Sequence, residues 1–146
     1  MKKFELWTHT LTNTTATFVV LPMPSYEILE NDHVQAKIRD HDYIEIEDLQ
    51  VIRNNKTSRH QGRGTVLIDA VAKFAKEKRR KEITGHLVTE DSMYGYMEEW
   101  YRHHGIGIEN GYLVGKIDTI LSMCAQIMHR YDLLYDLVDK PRYELK

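Results

Sequence analysis

The chain has 146 residues, of which 42% are hydrophobic and 29% charged, a balance typical of a soluble globular protein and not of a disordered one. No run reaches the ~18 apolar residues that a membrane helix needs, and no signal-like apolar core follows the N-terminus. The single cysteine, Cys124, excludes an internal disulfide and fits a reducing cytoplasm. We therefore expect one domain over residues 1–146, in the cytoplasm, with no membrane partner.

Charge is segregated along the chain. Between Lys56 and Lys81, nine Lys and Arg residues stand against two acidic ones, a local balance of +7 within a total of −2. From Tyr26 to Gln50 the balance is reversed, with eight Asp and Glu residues against two basic ones. The pattern has two interpretations: solvated charged faces, or a basic groove for a phosphorylated ligand beside an acidic surface that attracts an amine or a basic peptide. Segregation alone does not decide between them.

The first half of the chain has the pattern of β-strands. Residues 14–21 are rich in β-branched side chains and end at two prolines, within a short N-terminal segment of residues 1–25. A meander follows, whose predicted strands are residues 26–30, 33–39 and 43–53, joined by turns at 31–32 and 40–42. In the last strand the alternation of side chains predicts four on one face, those of Glu45, Glu47, Leu49 and Val51.

A basic loop with two glycines, Arg59-His60-Gln61-Gly62-Arg63-Gly64, follows this strand and leads directly into a predicted helix over residues 65–80. Two glycines so close together let the backbone approach a ligand, and amides in the first turn of a helix have no partner within it. Together with the positive end of the helix dipole, these amides form a site for an anion, most naturally a phosphate or pyrophosphate. The loop is the strongest indication of function in the sequence.

Helices and strands alternate in the second half. The helix over residues 65–80 has a predicted buried stripe at Leu67, Ala70, Val71, Phe74 and Ala75. The elements predicted after it are a strand at 83–88, a helix at 93–103 between an Asp91-Ser92 cap and Gly105, and a hairpin of 106–108 and 112–117 around Asn110-Gly111.

A long C-terminal helix over residues 118–138, within a C-terminal segment of 118–140, completes the prediction. Its apolar face consists of Ile120, Leu121, Cys124, Ile127, Met128, Tyr131, Leu134 and Val138. With no metal-ligand spacing around it, Cys124 is expected to be a small core residue, and we predict no metal site.

The glycine loop lacks the Gly-Lys-Ser/Thr ending of a nucleotide P-loop and the third glycine of a dinucleotide fingerprint. The order strand, Arg-x-x-Gly-x-Gly, helix, strand, helix, Gly, strand instead resembles the acyl-CoA-dependent N-acyltransferases of the GNAT superfamily. The resemblance runs from about Tyr43 to Ile117 and is most specific from Arg59 to Ala75. It implies an α/β (α+β) fold with a mixed, mostly antiparallel sheet flanked by helices, here with an extra C-terminal helix.

The resemblance also implies a cofactor site for acetyl-CoA (coenzyme A). Backbone amides from Gln61 to Gly64 would hold the pyrophosphate while Arg59 and Arg63 neutralise it, and the strand ending in Leu49-Gln50-Val51 would pair with the pantetheine arm. The cofactor-binding residues implied in this way are Leu49, Gln50, Val51, Arg59, His60, Gln61, Gly62, Arg63, Gly64 and Thr65.

The implied reaction is transfer of an acetyl group from acetyl-CoA to a primary amine. Tyr101 falls on the tyrosine that often protonates the departing thiolate, and Glu45 sits where some members of the superfamily carry a general base. Glu45 or Glu47, directly or through water, would take the amine proton. The alternatives are that both glutamates belong to a solvated strand face and that Tyr101 is a packed aromatic residue.

Two questions stay open. The residues before Tyr26 are too few for the two helices that normally cover the acceptor site, so either that site is open to a macromolecular amine or the C-terminal helix covers it. The acceptor is thus an amine on a small molecule or a protein, and a homodimer is an alternative role for the apolar C-terminal helix.

Two alternative functions also remain. One is a coenzyme A-binding module without catalysis. The other is a nucleic-acid-binding domain using residues 56–81, against which the pI of about 6.4 and the lack of interleaved aromatics argue.

Overall fold

The computed structural model describes residues 2–10, 15–22, 33–52, 62–87 and 94–138. In this part of the chain the elements are β1 (Lys2–Thr10), β2 (Thr15–Pro22), β3 (His33–Asp40), β4 (Ile44–Ile52), α1 (Arg63–Glu77), β5 (Glu82–His86), α2 (Tyr94–His103), β6 (Ile106–Glu109), β7 (Tyr112–Lys116), α3 (Ile117–Arg130) and β8 (Leu133–Val138). None of the described helices is long and apolar enough to span a membrane.

The strands form one eight-stranded sheet in the order β6-β7-β5-β4-β3-β2-β1-β8. Neighbours are antiparallel except for the pairs β4–β5 and β1–β8, which are parallel. The mixed, mostly antiparallel sheet flanked by helices is therefore confirmed. The N-terminal segment contributes two strands, β1 and β2, of which the sequence predicted only β2; the strand predicted at residues 26–30 lies outside the described residues.

A β-bulge interrupts the pairing of β3 and β4. Ile46 is opposite Ile38, and Asp48 is opposite Lys37, so Glu47 is the extra residue on β4. A bulge bends its strand and increases the local twist, and it reverses the in–out alternation of the residues that follow.

The bulge corrects one prediction about β4. Ala36 of β3 is opposite position 49 of β4 on one side and opposite Phe18 of β2 on the other. Phe18 contacts Phe74 of α1. Ala36 thus marks the helix-covered face of the sheet, whereas Glu45 and Glu47 lie on the opposite face. The prediction that Glu45, Glu47, Leu49 and Val51 share one face is wrong, because it assumed an unbroken two-residue period.

Helix α1 is the centre of the core. It packs on the sheet through contacts such as Phe74 with Phe18, whose ring centroids are 5.4 Å apart in an edge-to-face arrangement. Helix α3 runs antiparallel along its other side, from Ile117, whose amide donates to the Lys81 carbonyl, toward the α1 N-terminus. The predicted stripe is buried or partly buried, and every residue from Thr65 to Ala72 is buried as well, because two layers cover this helix.

The C-terminal helix is shorter than predicted. Helix α3 ends at Arg130, Asp132 adopts a positive φ of 54°, and residues 133–138 form β8 beside β1. The predicted helix over residues 118–138 (segment 118–140) is therefore wrong beyond Arg130. A period of two replaces the helical one at this point, since Leu133 is buried and Leu134 is exposed.

A polar cluster fastens β8 to α1. The Tyr135 hydroxyl donates to Oδ2 of the buried Asp69 at 2.9 Å, and Lys73 Nζ lies 2.8 Å from the same oxygen. The carboxylate of Asp69 is thus paired and hydrogen-bonded, as a buried charge must be. Burial raises the pKa of Tyr135, so its hydroxyl stays protonated and can donate.

The C-terminal helix covers its own domain. Ile117, Ile120 and Cys124 are buried on α3, which confirms Cys124 as a core residue. Gly105 and Gly115 make room for Ile120: a Cβ on Gly115 would lie 2.9 Å from Ile120 Cδ1, and one on Gly105 would lie 3.2 Å from the Ile120 backbone.

We expect Ile120→Ala to lower the free energy of unfolding by about 2–5 kcal/mol, because it leaves a cavity among close-packed neighbours. Urea denaturation of the variant and of Ser122→Ala, an exposed control on the same helix, measures the difference. A loss below about 1 kcal/mol for Ile120→Ala would contradict the packing of α3 described above.

Candidate functional site

Strands β4 and β5 separate in the middle of the sheet. They pair over three residues each, Ile44–Ile46 with Ile83–Gly85. The bulge at Glu47 follows, and β4 then continues along β3 to Ile52 while β5 ends at His86. Within the described residues, the edge of β4 beyond Ile46 that points toward β5 pairs with no strand. An extended ligand can add to such an edge through backbone hydrogen bonds.

The N-terminus of α1 has the geometry expected of an anion site. Gly62 is the N-cap in the left-handed conformation, with φ of 90°, and none of the described side chains caps the helix. The first helical hydrogen bond runs from the Val66 amide to the Gly62 carbonyl at 3.1 Å. The amides of residues 63–65 come before this bond, so they have no carbonyl acceptor within the helix. Arg59, His60 and Gln61 lie outside the described residues.

The Thr65 side chain is bonded within the protein. Thr65 is 5% exposed, and its hydroxyl lies 2.8 Å from His104 Nε2 at the end of α2. What Thr65 can offer an anion is therefore its backbone amide. Trp100, one turn before His104, lies against Gly64: a Cβ there would be 2.7 Å from Trp100 Cζ2.

Tyr101 is buried at the same end of α2. It is 3% exposed, and its ring meets that of Trp100 edge-to-face at 5.0 Å. Burial raises the pKa of Tyr101 to about 12, which keeps its proton in place at neutral pH. A proton donor and a packed aromatic residue both fit this environment.

Both candidate bases have side-chain partners on the sheet face opposite α1. Glu45 Oε1 lies 3.0 Å from Nε2 of His41, and Glu47 Oε1 contacts Nε of Arg39. Their side chains are 34% and 37% exposed, so each stays open to water. The structure thus brings the α1 N-terminus into contact with the end of α2. The two glutamates contact Arg39 and His41 instead.

Sequence reasoning missed several residues of this region. Trp100 and His104 had a weak signal, their i, i+4 spacing on one face of α2. His41 and Arg39 had none, because their partners depend on strand register. Thr84, opposite Glu45 in the parallel pairing, has a buried hydroxyl that lacks a hydrogen-bond partner in the described part of the chain.

Comparison with solved structures identifies the fold. Nourseothricin acetyltransferase matches with a TM-score of 0.54 at 15% identity over 72% of this chain and 66% of that one. A GNAT-family acetyltransferase from Staphylococcus aureus Mu50 matches with a TM-score of 0.53 at 14% identity over 70% and 68%. The chain has the GNAT fold. A putative streptothricin acetyltransferase from Bacillus anthracis str. Ames, in complex with acetyl coenzyme A, gives 0.50 at 19% identity over 74% and 63%.

These matches rest on the fold alone. No protein-family model and no curated protein sequence matches the chain. The chain spans about two thirds of the length of the three GNAT structures. The GNAT fold was expected from the segment around the glycine loop, and that resemblance is confirmed at the level of structure.

We expect the burial of His104 to make stability depend on pH. Burial lowers the pKa of His104 below its ordinary 6.5, so below about pH 6.5 the unfolded chain binds a proton that the folded chain resists. Stability is therefore full above that pH and is lost as the pH falls through the folded pKa. The free energy of unfolding at pH 7.5 and 5.5 measures this loss.

The matched variant is Thr65→Val combined with His104→Leu, which removes the titrating group and both polar partners. We expect a smaller loss between the two pH values than in the wild type. Equal losses in both proteins would show that other groups account for the pH dependence.

Proposed function

We propose that this chain is a member of the GNAT superfamily and an N-acetyltransferase that transfers the acetyl group of acetyl-CoA to a primary amine. The observation that carries the proposal is the combination, in a GNAT fold, of an α1 N-terminus that no described side chain caps with the edge of β4 that separates from β5. The first suits a pyrophosphate and the second suits an extended amide-containing arm. Acetyl-CoA contains both groups.

The described residues fit this substrate at two points. Gly62 takes the left-handed conformation without strain, and the first-turn amides of residues 63–65 have no acceptor within the helix. Arg59 and Arg63 would neutralise the pyrophosphate, and the backbone of Leu49, Gln50 and Val51 would pair with the pantetheine arm. An acetyltransferase of the same fold from Bacillus anthracis str. Ames was solved in complex with acetyl coenzyme A, which supports the assignment.

The chain offers groups for both proton transfers. The amine nitrogen attacks the thioester carbonyl carbon, the new C–N bond forms, and the C–S bond breaks. Glu45 or Glu47, directly or through water, takes the proton that the amine loses. Tyr101, which is protonated at neutral pH, supplies a proton to the leaving sulfur.

The acceptor would approach from the sheet face that carries Glu45 and Glu47. The sequence from Tyr26 to Gln50 is strongly acidic, which favours a cationic amine over a neutral one. The side chains of Glu45 and Glu47 are each about one third exposed on this face, so the amine of a small molecule or of a protein could reach them.

Calorimetric titration with acetyl-CoA tests the cofactor assignment, with binding expected near one molecule per chain. Arg63→Glu should weaken binding by at least about tenfold, because it places a negative charge against the pyrophosphate. The variant should stay folded, since an acidic side chain in the first helical turn is favourable and α1 has none there.

Lys81→Glu is the control for Arg63→Glu. It changes the net charge by the same amount at an exposed site beyond the opposite end of α1. Equal affinity of the two folded variants would place the anion elsewhere.

We expect Tyr101→Phe to slow turnover by roughly 10–100-fold while acetyl-CoA affinity hardly changes, because only a proton-donating hydroxyl is lost. Tyr131→Phe, at a tyrosine that is 60% exposed, is the control. Turnover of Tyr101→Phe at the wild-type rate would assign Tyr101 to packing alone.

A coenzyme A-binding module without catalysis is the second candidate. The contacts of Glu45 with His41 and of Glu47 with Arg39 favour it, because each carboxylate is already engaged by a side chain of the same sheet face. Stoichiometric acetyl-CoA binding without acetylation of any amine in a panel of small and peptide amines would favour this candidate over the enzyme.

A further inference from the structure

The end of α2 forms a buttress behind the first turn of α1. The buttress consists of Trp100 and His104, which contact Gly64 and Thr65 respectively. The ring centroids of Trp100 and His104 are 4.1 Å apart, so the two side chains act as one layer. A side chain at position 64 would collide with the rigid indole, which explains a glycine there independently of any ligand.

The hydrogen bonds of His104 fix its tautomer. Nδ1 lies 2.7 Å from the Trp100 carbonyl oxygen, which can only accept, so Nδ1 carries the proton. Nε2 is then the acceptor for the Thr65 hydroxyl at 2.8 Å. His104 is 4% exposed and Thr65 5% exposed, so water competes little for this bond. The imidazole therefore joins the last turn of α2 to the third residue of α1.

We propose that His104 is a positioning residue that holds the first turn of α1 in the geometry that binds coenzyme. The inference rests on the proposed function, because the turn in question carries the amides assigned to the pyrophosphate. Hydrogen-bond geometry at an anion depends on the direction of several amides at once, and the bond to Thr65 fixes the orientation of that turn. Tyr101 lies between Trp100 and His104 in sequence, so the same helix end places the proposed proton donor and the anion site.

The decisive variant replaces both partners, Thr65→Val with His104→Leu. Replacing both partners of the Thr65–His104 bond with apolar groups leaves neither of them with an unpaired buried polar atom, so it costs less stability than removing one partner alone; the Trp100 carbonyl also loses the Nδ1 donor. We expect the Kd for acetyl-CoA, measured by calorimetry, to rise roughly 5–10-fold, the equivalent of one hydrogen bond. In steady-state assays the change should appear in KM for acetyl-CoA and leave kcat within about twofold.

Two single variants complete the test. Thr65→Val alone should weaken binding by a similar factor, and Thr65→Ser, which keeps the hydroxyl, should restore wild-type affinity. Ser122→Ala, which removes an exposed hydroxyl on α3, controls for the loss of a hydroxyl as such. Rescue by serine is a result that a packing role for the threonine methyl group does not predict.

Wild-type affinity in the folded double variant would overturn the inference, as would weak binding by Thr65→Ser equal to that of Thr65→Val. Absence of acetyl-CoA binding by the wild-type protein would instead overturn the proposed function. The two failures are thus distinguishable by the wild-type titration.

Discussion

Burial of α1 between the sheet and α3 is the constraint on which the rest of the structure depends. Residues from Thr65 to Ala72 have no exposed side, so the helix cannot shift along its axis without breaking contacts on two layers. Its N-terminus is therefore fixed in space, close to the end of α2. An anion site made of backbone amides has no flexible side chain to adjust, and a rigid helix supplies the preorganisation that it requires.

The two faces of the sheet have different physical characters. The face under α1 is apolar, with Ala36, Ile38, Ile44 and Ile46 buried at its centre. The opposite face carries alternating charges, with Arg39 and Glu47 paired across β3 and β4. The bulge at Glu47 lies directly after the last residue of β4 that pairs with β5. It also reverses which sheet face each of the following β4 residues lies on. The extra residue thus stands at the point where β4 and β5 separate.

Local signals in the sequence were sufficient for many elements. Asn110 and Gly111 take the positive φ values, 52° and 76°, that their turn requires, and the predicted hairpin is present. Gly105, with φ of 83°, follows the last turn of α2 as predicted. In each case the conformation is dictated by the residues themselves.

Elements that depend on distant partners could not be predicted in this way. Strand β8 exists because β1 offers an edge more than 120 residues earlier in the chain, and Leu133 to Val138 fit a helix or a strand equally well in isolation. The bulge at Glu47 needs the register of β3. His103 and His104 are neighbours in sequence, and only the position of α1 makes one exposed and the other buried.

The proposed coenzyme A site consists of the first turn of α1 and the edge of β4 that pairs with no described strand. The most direct measurement is an NMR titration of the ¹⁵N-labelled protein with acetyl-CoA, followed at each backbone amide. We expect the amides of residues 63–65 to shift most, downfield as hydrogen bonds to phosphate form, together with those of residues 49–51. Shifts confined to other surfaces, with these six amides unchanged at saturation, would contradict this assignment.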